Sequence, residues 1–146
     1  MKKKHYLILT FALFVCVSIF LLCRHREQPL SILLSCEGTP KYSSWGYYDG
    51  MESQIEGAIP QESISDLLDS ATIRKGNSSQ FMPSPCFEIT VVYGNEIYRV
   101  VVGADKTISV APISNLDSRT FWIDTSGTLF EQLYSVHLEN GGQAFP

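Results

Sequence analysis

An apolar run of 18 residues, "YLILTFALFVCVSIFLLC" at positions 6–23, constrains this chain more than any other feature. Only Thr10 and Ser18 interrupt it. As an α-helix rising about 1.5 Å per residue it measures roughly 27 Å, close to the hydrocarbon thickness of a bilayer. Lys2, Lys3 and Lys4 precede it, and Arg24, His25 and Arg26 follow. Such side chains snorkel to headgroups and make up a shortfall in length. With the α-amino group, the leading side carries slightly more positive charge. The positive-inside tendency therefore places the N-terminus in the cytoplasm.

Three fates compete for this run, and an uncleaved transmembrane anchor is the expectation. A cleaved signal peptide has a shorter apolar core and small residues before the cut. Here Leu21, Leu22 and Cys23 stand before Arg24, a poor match to a peptidase pocket. Lipidation at Cys23 would want a small residue just before the cysteine, and Leu22 occupies that place. "LLSC" ending at Cys36 fits those letters better but lies beyond a charged stretch containing Pro29. A secreted or lipidated product after cleavage is the alternative.

The remainder, residues 27–146, is long enough for one domain. Five of the 11 Lys and Arg flank the apolar run, so six remain in this portion against all 15 Asp and Glu, a balance of −9. A domain this acidic repels phosphate backbones and anionic headgroups, which argues against nucleic acid as a partner. Its content of Val, Ile, Phe and Tyr suffices for a small core.

Cys16 and Cys23 lie seven apart on one helix face and read as small apolar fillers. Cys36 and Cys86 fall in the extracytoplasmic portion, where a disulfide closing about 50 residues stabilises a fold by about 4 kcal/mol in the chain-entropy model. Two free buried thiols would look identical in sequence.

"LSILLSC" (30–36) reads as a first strand. Asp49-Gly50, between "SSWGYY" and "MESQI", signals a tight hairpin turn. Ile64, Leu67, Leu68 and Ala71 repeat at helical spacing over 61–75, with Arg74 and Lys75 at the negative dipole end and Gly76 placed to stop the helix. Glu62, Asp66 and Asp69 on its other side read as a solvated acidic face rather than a cation site. Asn77-Ser78-Ser79 matches a glycosylation sequon, meaningful only in a eukaryotic secretory pathway.

"CFEITVVYGNEIYRVVVGADKTISVAP" alternates twice around Gly-containing turns and predicts a three-stranded antiparallel meander, stopped at Pro112. "RTFWI" (119–123) adds a fourth strand. "DTSGTLFEQLYSVHLENGG" reads as a capped helix with Leu129, Leu133 and Val136 on one face and Gly141 past its end. "QAFP" is expected to fray. The fold class is thus α+β: an antiparallel sheet, a meander plus flanking strands, covered on one face by two helices and preceded by a transmembrane helix. Residues 1–26 form a cytoplasmic tip, anchor and basic flank, and residues 27–146 a single acidic extracytoplasmic domain.

Groups that carry catalysis are sparse. His5 and His25 border the anchor, which leaves His137 as the lone imidazole of the domain. A Ser or Cys nucleophile needs a base in reach, and His137 sits on the last helix, where surface or capping roles are commoner. There is no His pair for zinc, no C-x-x-C, no phosphate loop and no Ca²⁺ loop. The expectation is no enzyme, no cofactor and no metal. Tyr42, Trp45, Tyr47 and Tyr48 crowd a Gly/Ser-rich stretch. They either cap the sheet or form a contact surface, since aromatics give large contact area for little entropy loss.

Residues 61–136, with "ISDLLDSA", "FEITVVY", "YRVVV" and "FWIDTSGTLFEQLY", resemble small uncharacterised membrane-anchored or lipoprotein domains of Firmicutes. Those also run helix, sheet hairpins and a terminal helix. The pattern spans about half of the chain, and its members carry no assigned activity, so the resemblance implies no site residue. The leading expectation is a single-pass cell-membrane protein presenting a non-catalytic domain that binds a protein partner. An inhibitor or immunity-type domain blocking a basic enzyme is the competing function.

Overall fold

The computed structural model describes residues 2–24, 26–34, 38–76 and 83–146, with the side chains of residues 2–7, 23 and 24 outside that description. Cys36 and the Asn77-Ser78-Ser79 sequon fall outside it. Helix α1, Lys2–Arg24, carries the apolar run. Its Phe11, Phe14, Phe20 and Leu22 are 65–72% exposed, and among the described residues no other element packs extensively on this helix. Among the described residues, which leave out the side chains at both ends of the apolar run, no helix is long and apolar enough to cross a membrane.

The rest is an α+β domain built on one antiparallel sheet of eight strands. Strand β1 is Gln28–Pro29, β2 Lys41–Tyr48, β3 Ser53–Glu56, β4 Thr72–Lys75, β5 Cys86–Tyr93, β6 Glu96–Gly103, β7 Thr107–Pro112 and β8 Thr120–Asp124. Helices α2 (Gln61–Ser70) and α3 (Leu129–Glu139) join them, and the spatial order is β1-β4-β8-β7-β6-β5-β2-β3. The expected meander, β5 to β7 and on to β8, forms the centre. Both hairpins turn through positive φ: Gly94 at 56° and Lys106 at 69°. The Asp49-Gly50 turn also forms, with φ of 54° and 71°, and joins β2 to β3.

Register explains the core. Phe87 lies opposite Val102, Ile89 opposite Val100, and Val100 opposite Val110. These side chains share the face on which α2 and α3 lie, and with Ile64, Leu68, Leu129 and Leu133 they make the main apolar cluster. Alternation thus puts one β-branched or aromatic row under both helices.

Two local expectations give way to tertiary pairing. Residues 30–34 form a 3-10 turn instead of a strand, which buries Leu30 and Leu34 together. The Leu30 N–H donates to the Ala71 carbonyl at 2.9 Å. The helix expected over 61–75 ends at Ser70, where Ala71 takes an extended ψ of 133°. Thr72–Lys75 then lie between β8 and β1, so Arg74 and Lys75 are strand residues and meet no helix end. β-branched Thr72 and Ile73 suit that ladder, and Ile73 is fully buried. Helix α3 begins at Leu129, whose N–H donates to the Asp124 carboxylate at 2.8 Å across the Ser126-Gly127 turn.

The C-terminal segment does not fray. Phe145 stacks on Tyr134 with ring centroids 5.0 Å apart and planes 3° from parallel, and it touches Phe87, Phe130 and Tyr48. Its N–H donates to the Tyr134 hydroxyl. The ring can approach β2 this closely because Gly46 presents no side chain: a Cβ there would stand 2.7 Å from it. We expect Phe145→Ala to destabilise the domain by about 2–3 kcal/mol, read as a lowered urea midpoint. An unchanged midpoint would mean the tail contributes nothing.

Candidate functional site at the open sheet edge

Strand parity separates the four aromatics of the Gly/Ser-rich stretch. Tyr42 and Tyr48 point to the helix-covered face, where Tyr42 packs on the main core and Tyr48 on Phe145. Trp45 and Tyr47 point to the other face. Tyr47 is buried with Cys86 and Val101, while Trp45 remains 38% exposed. The four therefore do not form one surface, and Trp45 alone is free to meet a ligand broadly.

The cluster around Cys86 is polar at its rim. Among the described residues Cys86 carries a free, fully buried thiol; its expected partner Cys36 lies outside them. Burial first, and then the Glu88 carboxylate, push that thiol up to about 12, against the opposing pull of Arg99. Tyr47 is raised by the same two causes. Arg99 pairs with Glu88 at 2.5 Å in a largely buried bridge. The Arg99 Nε finds no hydrogen-bond partner among the described residues.

His137 is committed to the fold. It is fully buried on α3, four residues after Leu133 and seven after Phe130. Its Nδ1 accepts the Ala58 N–H at 2.9 Å, so the proton sits on Nε2, which donates to the Gln143 carbonyl at 2.8 Å. Both nitrogens are thereby taken by backbone, and the ring packs on Phe87, Tyr134 and Phe145. Beneath it the helix closes in a Schellman turn: Gly142 donates to the His137 carbonyl and Gly141, with φ of 80°, to that of Leu138. A Cβ at Gly142 would stand 2.2 Å from the imidazole.

This clamp makes one wall of a cleft. The chain from Gln54 to Ala58 faces Gly141–Gln143 across a cavity of about 560 Å³. A second hollow of about 230 Å³, lined by Tyr42, Trp45, Glu56 and Gly57 among others, adjoins it. The first is of ligand-pocket size, and three of its eight lining residues are glycines, which bring no side chain to it. Among the described residues no group of three or more His, Cys, Asp or Glu is placed to hold a metal ion. The edge itself escaped sequence reading, because strand order is needed to know that β3 has one neighbour.

No family model matches the chain, and no curated protein does. A solved structure with some likeness is the "Putative Lipoprotein from Clostridium perfringens", 17% identical, with 66% of this chain and 84% of that one covered and a TM-score of 0.44. A likeness that loose carries no argument about fold or function.

His137→Ala should cost about 3 kcal/mol, because it opens a cavity and strands the Ala58 N–H and Gln143 carbonyl. Chemical denaturation measures it, and a loss below about 1 kcal/mol would remove the clamp's structural role. The Cys86 thiol should resist iodoacetamide at pH 8 in the native domain and react on unfolding, as mass spectrometry of its peptide would show. Its raised folded value contributes stability fully present below pH ~9 and lost as pH climbs towards 12.

Proposed function

We propose that this chain is a single-pass membrane protein whose acidic extracytoplasmic domain binds a protein partner without catalysing a reaction. The observation that carries the reading is α1. Its described apolar side chains, Ile8 to Leu22, stand exposed while the domain completes its own core without them. An uncovered apolar helix of this kind needs a non-aqueous surface. Over the full 23 residues of α1 the backbone runs about 34 Å, and the basic residues at each end suit headgroups. The excess of positive charge before the helix orients the N-terminus inward and the domain outward.

The commitment of His137 to two backbone groups supports a binding role over an acid–base one. The −9 balance of residues 27–146 points the domain at basic surfaces.

Fractionation with intact-mass measurement tests the anchor. The expected result is an unmodified Met1-to-Pro146 mass in the membrane fraction, retained at alkaline pH and released by detergent. A mass beginning near residue 24, or a diacylglyceryl adduct on Cys23, would overturn it.

A further inference from the structure

Strand β3 ends the sheet, and among the described residues only one of its edges is occupied. The Gly57 N–H donates to the Ser44 carbonyl at 2.9 Å, in register with the β2–β3 ladder. Bonded and open pairs alternate along an antiparallel ladder. Ser53 and Ile55 therefore turn their backbone groups to β2, while Gln54 and Glu56 turn theirs outward. Ala58 is next in the outward row, and His137 Nδ1 takes its N–H. The row is closed at Ala58 and open at Gln54 and Glu56, along the cleft facing Gly141–Gln143. The opposite edge differs: β1 has two residues, and one of them, Pro29, has no N–H to offer.

The geometry points to β3 as a docking strand for an extended, basic segment of a partner protein, added as a ninth strand with a Lys or Arg side chain set between Glu56 and Trp45. Glu56 and Trp45 are direct cross-strand partners in an open pair, where side chains on one face approach most closely. Both are exposed, and among the described residues no cation pairs with Glu56. A carboxylate beside an indole face binds a cation by charge and by cation–π attraction. The hollow that Trp45, Glu56 and Gly57 help to line gives that side chain room beside them. Main-chain pairing supplies affinity, and the seated cation supplies selectivity. The same −9 charge opposes a second copy of this chain as the occupant.

This inference rests on the reading of the domain as a protein-binding module. The test uses ¹⁵N-labelled full chain in detergent micelles, titrated with a heptapeptide of alternating Lys and Thr. Amide signals of Gln54 and Glu56 and the Trp45 indole N–H should shift, and a Glu/Thr heptapeptide should leave them in place. Glu56→Gln should weaken binding about five- to tenfold. N-methylation of alternate peptide amides should abolish it. Shifts spread over the acidic surface without β3, equal affinity for Glu56→Gln, or β3 shifts produced by protein concentration alone would overturn the assignment. Cross-linking on intact membranes separates the two levels, with Gln54→Pro removing one outward N–H and no bond to β2. Partners held equally by wild type and Gln54→Pro would overturn the edge and leave the binding module standing. No partner held by either would overturn the module itself.

Discussion

Every second side chain of an antiparallel strand faces the same way, and in β5, β6 and β7 that alternation decides where everything else can go. Phe87, Ile89 and Val91, with Val100 and Val102, Ile108 and Val110, form one unbroken apolar face. Helices α2 and α3 have to cover it, because an exposed face of that size is unstable in water. Slipping β5 by one residue would turn its apolar row away from the helices and bring Glu88 beneath them, and slipping β6 would do the same with Arg99.

On that platform the C-terminal part of the chain acts as a fastening. Phe145, Tyr134, Phe130 and His137 pile against Phe87, and the imidazole ties Ala58 to Gln143 through its two nitrogens. A polar ring inside an aromatic stack is stable only when both nitrogens are satisfied. Holding Ala58 in this way also positions the chain beyond β3, and so shapes the cleft. The fold and the candidate site share one support.

Sequence patterning reached the elements whose causes are local. Gly94-Asn95 and Asp49-Gly50 announce their turns, and the alternation of β5 to β7 announces the meander. The period of the 61–75 stretch runs past the helix end because Ala71 continues it, whereas pairing with β8 claims Thr72 onward. "LSILL" is an apolar run that strand and 3-10 turn can both accommodate, and only contact with Ala71 chooses. Phe145 gives no local sign of its partners, which lie up to 97 residues away at Tyr48. Two signals were available. The parity of Tyr42 and Tyr48 against Trp45 and Tyr47 already splits the aromatics, and the spacing of Phe130, Leu133 and His137 already puts the histidine on the apolar stripe.

The order of strands also sets a distance. β1 follows α1 after a few residues, and β3 stands at the far end of the sheet, seven strand-to-strand steps away. At about 4.8 Å per step the two are about 34 Å apart. The breadth of the sheet thus works as a spacer between the α1 end of the domain and its open rim. Its reach comes from lateral hydrogen bonding, a stiffer device than any linker of the same span.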